Sequence, residues 1–141
     1  MVLKVGILGC RHGRNHALGY KLDGRAKVVG IAGQSDLDRA KKLADEVGAE
    51  IVTLDYHDLL DSPEIEAVSI ATPTYLHASM AIEAAKAGKH VLCEKPMAIT
   101  LQECDEMISV AKKAGVILAT GFNYRFQVHF QKMKALLEKE E

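Results

Sequence analysis

The chain has 141 residues, a length that fits a single domain able to bury roughly two-thirds of its unfolded surface. Its 18 basic and 19 acidic side chains are mixed along the sequence, and a formal net charge of -1 argues against nucleic acid or a membrane surface as a partner. Three widely spaced cysteines, Cys10, Cys93 and Cys104, favour a reduced, cytoplasmic protein over a disulfide framework.

Short apolar or β-branched runs predict six strands, at 2–8, 26–32, 49–52, 66–71, 89–93 and 116–120. The first run is too short for a signal peptide and none could span a bilayer, so we expect neither. Segments of helical periodicity lie between most of the strands. Thr100 and Glu103 form a capping box before one helix, and Ser62 before Pro63 predicts another helix start. This alternation indicates the α/β class, with a doubly wound, Rossmann-like parallel sheet whose ligands bind at the carboxyl ends of the strands.

A glycine-containing turn, GCRHG, follows the first predicted strand at residues 9–13. Such a turn at the start of a helix lets backbone N–H groups approach a pyrophosphate, a role assigned here to Gly9, Cys10, Arg11, His12 and Gly13. The usual fingerprint is G-x-G-x-x-G, whereas here Arg11 replaces the middle glycine and the loop is one residue shorter. A tight structural turn would explain the segment nearly as well.

His12 and His16 stand four residues apart, a spacing that could suit two metal ligands. No acidic residue lies in the same turn, so a loop or capping role is favoured for both. We predict no metal site.

The second predicted strand ends at residue 32 and is followed by Gly33, Gln34, Ser35 and Asp36. An acidic residue at this tip would bind the ribose hydroxyls of NAD, and a small residue followed by Arg would suit NADP. Gly33 occupies the expected acidic position, so neither rule is met and the cofactor is predicted only as NAD or NADP. Gly33 and Gln34 are assigned to the cofactor site. Asp36 could reach the ribose, although Ser35 and Asp36 are equally good helix caps.

Polar residues also follow the fourth and fifth predicted strands. Thr72 and Pro73 form a turn that faces the region above the sheet, and His77 belongs either to this cofactor site or to the surface of the first helical turn. Lys95 could donate to a ligand hydroxyl or, when partly desolvated, relay a proton. Glu94 beside it could orient an amide or a ribose. A solvated ion pair explains most Glu-Lys neighbours, but the position at a strand tip favours a site.

Three motifs in residues 71–126 together resemble one family. They are the A-T-P-x-x-x-H turn starting at Ala71, the E-K-P tripeptide starting at Glu94, and the G-x-N-Y-R-F segment starting at Gly121, after the sixth predicted strand. In order and spacing they resemble the N-terminal half of the Gfo/Idh/MocA family of NAD(P)-dependent oxidoreductases. The resemblance extends over nearly the whole chain.

The resemblance implies roles for individual residues. Residues 9–13 would hold the pyrophosphate and residues 72–73 would line the dinucleotide. Glu94 would lie near the nicotinamide ribose, Lys95 would meet both cofactor and substrate, and Asn123 would lie near the nicotinamide. Lys95 is therefore the predicted catalytic residue.

Members of the family carry a second domain that supplies the substrate pocket, so the resemblance implies that the C-terminal substrate domain is absent from this chain. We predict a dinucleotide-binding domain at residues 1–124 and, at 125–141, a helix that leads toward the second domain. Phe126, Phe130, Met133 and Leu137 are predicted to form a helical apolar stripe that needs a partner surface.

The resulting functional prediction is a domain of an oxidoreductase that moves a hydride between a nicotinamide cofactor and a hydroxyl-bearing carbon. The small-molecule substrate would be a sugar, a polyol or a related compound. By themselves the 141 residues should bind dinucleotide weakly and turn over little or nothing. Two alternatives stay open: a non-catalytic dinucleotide-sensing or partner-binding module, and a degenerate remnant that binds nothing, suggested by the short loop.

Overall fold

Six parallel strands form one sheet in this computed structural model, which describes residues 2–139. The strands are β1 (Leu3–Leu8), β2 (Ala26–Ala32), β3 (Ile51–Thr53), β4 (Ala67–Ile70), β5 (His90–Glu94) and β6 (Leu118–Gly121). They lie in the order β3-β2-β1-β4-β5-β6, and each neighbouring pair is parallel. The prediction of a doubly wound parallel sheet is confirmed, and all six predicted strands are present.

Helices connect the strands and cover both faces of the sheet. They are α1 (Gly13–Asp23), α2 (Leu37–Val47), α3 (His57–Asp61), α4 (His77–Lys86), α5 (Leu101–Ala114) and α6 (Val128–Leu137). One-turn 3-10 helices at Thr74–Leu76 and Asn123–Phe126 precede α4 and α6. Within residues 2–139, every helix is too short or too polar to traverse a bilayer.

Two hydrophobic clusters divide the core between the faces of the sheet. On one face, Ala17 of α1 and Leu43 of α2 pack with Val5 and Ile31 of the strands. On the other face, three helices pack against the sheet through Leu59 of α3, Met80 and Ala84 of α4, and Met107 of α5. Alternate residues of the central strands are buried on both sides, which is why their sequences are continuous apolar runs.

Local sequence signals set several helix ends. The capping box before α5 is confirmed, because the Thr100 hydroxyl accepts from the Glu103 N–H at 3.1 Å and the Glu103 carboxylate accepts from the Thr100 N–H at 2.9 Å. Asp36 caps α2 by accepting from the Arg39 N–H at 2.9 Å. The capping alternative for Asp36 is therefore the one observed.

The predicted helix start at Ser62 is wrong. Ser62 follows α3 instead, and β4 begins only a few residues after Pro63. The buried ammonium of Lys89 donates to the Ser62 and Ile65 carbonyl oxygens at 2.7 and 2.8 Å. The Ser62 carbonyl also accepts from the Ile65 N–H at 3.3 Å, which closes a single turn and not a helix. A proline at a favourable helix start has no effect when too few residues remain before the next strand to form a helix.

The predicted C-terminal apolar helix is shorter than expected. Phe126 lies in a 3-10 turn and α6 begins at Val128, so the stripe is not one continuous helical face. Phe126, Phe130, Met133 and Leu137 are all exposed. Residues 140 and 141, the end of the predicted 125–141 segment, lie outside the described residues.

Candidate functional site

The order of the strands reverses between β1 and β4, and the loops at their carboxyl ends diverge there. β2 and β3 continue the sheet on one side, and β5 and β6 continue it on the other. In doubly wound sheets this is where ligands bind. Two open clefts flank the reversal point and share His12 in their walls.

Gly9 allows the turn after β1 to approach the turn after β4. Its φ is +96°, and a Cβ at this position would lie 2.7 Å from the Ala71 carbonyl oxygen. Any other residue would be strained and would separate the two turns. Gly13 begins α1 and is packed against β1, where a Cβ would lie 2.7 Å from the Ile7 side chain. The two glycines thus hold the turn GCRHG tightly against β1 and the turn after β4, although the middle glycine of the fingerprint is missing.

The first cleft, called here the β2 cleft, has a volume of about 620 Å³. It brings together the predicted residues that follow β1, β2 and β4: Gly9, Cys10, Arg11, His12, Gly33, Gln34, Thr72 and Pro73. Ser35, Asp36, Arg39 and Ala71 complete its wall. Burial, with a smaller effect from Asp36, raises the pKa of the Cys10 thiol, so Cys10 contributes neutral packing.

The second cleft, called here the β5 cleft, has a volume of about 840 Å³ and contains Glu94, Lys95 and Asn123. His16 and Asn15 of α1 lie in its other wall. Lys95 and Asn123 also line a third hollow of about 750 Å³ formed with Pro96 and the residues after β6. Lys95 is exposed, so the described residues do not supply the partial desolvation expected of it. Its backbone lies at the junction of the two hollows, where a ligand spanning both would meet its side chain.

A largely buried polar trio, His16, Ser69 and Glu94, connects α1, β4 and β5 at the wall of the β5 cleft. His16 Nε2 lies 3.0 Å from Glu94 Oε1, and His16 Nδ1 lies 2.6 Å from the Ser69 hydroxyl. Because a carboxylate only accepts, Nε2 carries the proton; in the neutral tautomer Nδ1 then accepts from Ser69. Both ring nitrogens are engaged within the trio, so His16 does not pair with His12 in a metal site.

Glu94 is held rigidly as a charged group. Its other oxygen, Oε2, accepts from the Lys95 backbone N–H at 2.9 Å. Burial acts to raise the pKa of Glu94, but the hydrogen bonds from His16 and from the Lys95 N–H outweigh it, and the pKa is lowered overall. The carboxylate therefore stays ionised and fixes the direction of the backbone at Lys95.

The structure corrects the expectation that His77 lies on the surface of the first helical turn. Its side chain is buried, with 1% exposure, so it is not a surface histidine. Its Nε2 lies 2.9 Å from the Thr72 carbonyl oxygen and its Nδ1 lies 2.8 Å from the Pro96 carbonyl oxygen, which leaves no free nitrogen for a cofactor. His77 is a positioning residue that joins the turn after β4 to the turn after β5.

Sequence reasoning missed Arg39 and His16, which line the two clefts, and Ser69, which is buried behind His16. The sequence analysis favours a loop or capping role for His16 over metal binding, and it includes Ser69 in an apolar strand. Arg39 lies in the first turn of α2, and its position after the tip of β2 was the available signal, because an arginine there can meet a ribose phosphate.

The fold and these clefts define a dinucleotide-binding domain of the Rossmann type. A family model described as GFO_IDH_MocA, oxidoreductase family, NAD-binding Rossmann fold, matches residues 3–122. The chain belongs to this oxidoreductase family, and the family resemblance seen in residues 71–126 is confirmed. The predicted class of cofactor, NAD or NADP, agrees with this family.

Relatives and solved structures agree with the family. The myo-inositol 2-dehydrogenase of Thermotoga maritima is 38% identical over 137 residues, covering 96% of this chain and 41% of that protein. The scyllo-inositol 2-dehydrogenase (NAD(+)) of Bacillus subtilis is 36% identical over 140 residues, covering 99% of this chain and 40% of that protein. The crystal structure of KijD10, a 3-ketoreductase from Actinomadura kijaniata in complex with NADP and TDP-benzene, has a TM-score of 0.90 and 28% identity, covering 99% of this chain and 43% of that one. The chain thus spans about two fifths of the length of these proteins.

Proposed function

We propose that this chain is the dinucleotide-binding domain of an oxidoreductase that moves a hydride between a nicotinamide cofactor and a hydroxyl-bearing carbon of a sugar or polyol. The observation that carries the proposal is the pair of clefts that meet at His12, one beside Gly9 and the other containing Lys95. Two relatives named as inositol dehydrogenases support a polyol substrate. The domain boundary after residue 124 and a cytoplasmic location stay predictions from the sequence.

Each part of the clefts has a role in this proposal. Backbone N–H groups of residues 9–13 bind the pyrophosphate, and Thr72 and Pro73 line the dinucleotide between the clefts. The bound cofactor supplies or accepts the hydride. Lys95 donates to the substrate oxygen and so stabilises negative charge there, and Asn123 orients the nicotinamide end. His16 and Glu94 keep the Lys95 backbone in place, and His77 does the same from the other side.

An exposed apolar surface favours a covering domain or partner. Phe126, Phe130, Met133 and Leu137 are between 40% and 76% exposed, which is costly for aromatic and aliphatic side chains in water. We propose that a second domain or a protein partner covers this surface. If the natural partner carries no substrate pocket, the chain is a dinucleotide-sensing module instead of part of an enzyme.

Direct titration tests whether the chain binds dinucleotide. The chain has no tryptophan, so the emission of bound reduced nicotinamide can be followed with little protein background. We expect saturable binding of NADH, NADPH or both. No binding of either at millimolar concentration would refute the proposal for this chain and favour a degenerate remnant. Gly9→Ala should weaken this binding strongly, because its Cβ would meet the Ala71 carbonyl oxygen at 2.7 Å. Gly24→Ala is the matched control, because Gly24 also has a positive φ, +71°, but a Cβ there would meet nothing within 4 Å.

The role of Lys95 is tested in a protein that also carries a substrate domain. Lys95→Met should lower kcat by about 10²- to 10⁴-fold, the usual contribution of a positioned proton donor, and change the affinity for dinucleotide much less. An unchanged kcat would remove Lys95 from the chemistry. Retained dinucleotide binding with no activity in any variant would favour the sensing module.

A further inference from the structure

The β2 cleft offers no free carboxylate at the tip of β2. The residues there are Gly33, Gln34 and Ser35, so the side chains next to the strand end carry an amide and a hydroxyl. An acidic side chain at this tip selects unphosphorylated NAD, because it accepts from both ribose hydroxyls and repels a phosphate. Such an acid is missing from the tip of β2.

Packing explains why Gly33 cannot be replaced by an acidic residue. A Cβ at Gly33 would lie 2.7 Å from the Asp36 carbonyl oxygen and 2.8 Å from the Ala40 Cβ. Both neighbours belong to the start of α2, which is held close to the strand tip. Gly33 therefore reflects a close approach of α2 to β2, and that approach also brings the first turn of α2 to the cleft.

Asp36 is the nearest remaining acid, and both of its oxygens are engaged. Oδ1 accepts from the Arg39 backbone N–H at 2.9 Å, and Oδ2 lies 3.4 Å from Arg39 Nε. Its charge is partly balanced by Arg39, and its geometry is that of a helix cap. These contacts make Asp36 a poor substitute for an acid that reaches out to a ribose.

Basic side chains exceed acidic ones around this end of the cleft. A smaller hollow shares Arg11 and Arg39 with the β2 cleft and adds Arg14, Lys42 and Glu46. The Arg14 guanidinium is neutralised by Glu46, with Nε 2.9 Å from Oε2. Within residues 2–139, Arg11 and Lys42 form no such salt bridge. Arg11, in the turn after β1, and Arg39, in the first turn of α2, thus line the same end of the cleft, with guanidinium groups suited to a phosphate.

We propose that this chain prefers the phosphorylated dinucleotide NADP(H), and that Arg39 and Arg11 bind its ribose 2′-phosphate at the end of the β2 cleft. The inference rests on the proposed function, since it concerns the same dinucleotide site. The phosphate carries a charge of roughly −1.5 to −2 at neutral pH, which the two guanidinium groups would offset. Ser35 and Gln34 supply uncharged donors beside them.

Two small nucleotides isolate this end of the site from the nicotinamide end. Adenosine 2′,5′-bisphosphate and adenosine 5′-monophosphate differ by the 2′-phosphate alone, and each can be titrated calorimetrically into the 141-residue protein at low salt. We expect the bisphosphate to bind about ten- to hundredfold more tightly, the range that charge-assisted hydrogen bonds to one phosphate supply. The advantage should shrink as salt is added, because the contacts are partly exposed.

Variants then assign the preference to residues. Arg39→Gln should reduce the ratio of the affinity for the bisphosphate to that for the monophosphate by about tenfold or more. The affinity for adenosine 5′-monophosphate itself should stay nearly unchanged. Arg25→Gln is the matched control, since Arg25 is exposed and precedes β2, at the opposite edge of the sheet. Gln34→Asp should also reduce the advantage; Gln34 has φ +60°, a conformation that Asp adopts more readily, so this variant should fold.

The outcomes separate this inference from the proposed function. Binding of NADH with no gain from the 2′-phosphate would overturn the preference for NADP(H) and leave the proposed function intact. If the 2′-phosphate still increases the affinity in both Arg39→Gln and Arg11→Gln, the assignment of the phosphate site to these arginines is overturned. If neither dinucleotide nor either nucleotide binds, the proposed function fails and the inference fails with it.

Discussion

The buried pair His16 and Glu94 allows a direct test of how the β5 cleft is held. Their side chains are 13% and 10% exposed, and the pair joins residues 78 positions apart in the chain. His16→Ala leaves Glu94 with one of its two bonds and an uncompensated buried charge. We expect a loss of about 2–3 kcal/mol in the free energy of unfolding, the range for removing one partner of a buried charged hydrogen bond.

The pH dependence gives this loss a signature. Because the folded-state pKa of Glu94 is lowered, its contribution to stability is present above its unfolded pKa, about 4.3, and is lost as the pH falls through the folded-state pKa. Removing His16 removes a hydrogen bond that lowers this pKa. The destabilisation should therefore be larger at pH 7 than in acid, where Glu94 is protonated in both proteins.

Urea denaturation of a double-mutant cycle measures the pair. His16→Ala, Glu94→Ala and the double variant should show a coupling energy of about 1–2 kcal/mol at pH 7. His129→Ala is the matched control on exposed α6 and should stay within about 0.5 kcal/mol of the parent. Additivity within about 0.5 kcal/mol would refute the reasoning, because it would mean that the contact contributes nothing beyond each side chain alone.

Other substitutions test packing, capping and burial. Gly33→Ala should lower the free energy of unfolding by about 1–3 kcal/mol, because its Cβ meets the Asp36 backbone. Gly19→Ala, in an open part of α1, should raise the free energy of unfolding by about 0.5–1 kcal/mol. Chemical denaturation measures both changes, and two changes of the same sign would contradict the packing argument. Thr100→Ala should lower the free energy of unfolding, measured by urea denaturation, by about 1 kcal/mol, because the capping box is lost. Thr100→Ser should retain most of that stability. Equal losses in the two variants would argue against the cap. Burial raises the pKa of Cys93 to about 12, so a thiol reagent at mildly alkaline pH should label half-buried Cys104 first and Cys93 only on unfolding; early labelling of Cys93 would contradict its burial.

Much of the site could be predicted from the strand ends, because parallel strands bring all their carboxyl ends to one edge. Gly9, Gln34, Thr72 and Lys95 were found by this rule, and the structure places them in two clefts that meet at His12. No contact has to be known for this prediction; it needs only the order of strands and helices. The direction of the side chains did not follow in the same way, as buried His77 shows.

The sequence by itself determined the family, the six strands and the capping box of α5, because these depend on motifs and on residues within one turn of each other. For α2 it offered Ser35 and Asp36 as caps, and the structure selects Asp36. The tertiary structure alone decided that Ser62 ends a helix instead of starting one, since Lys89, 27 positions away, binds its carbonyl oxygen. It also decided the pairing of His16 with Ser69 and Glu94, across 53 and 78 positions. Local patterns carry no record of such distant partners, and hydrogen bonds between them form only when the sheet brings the strands together.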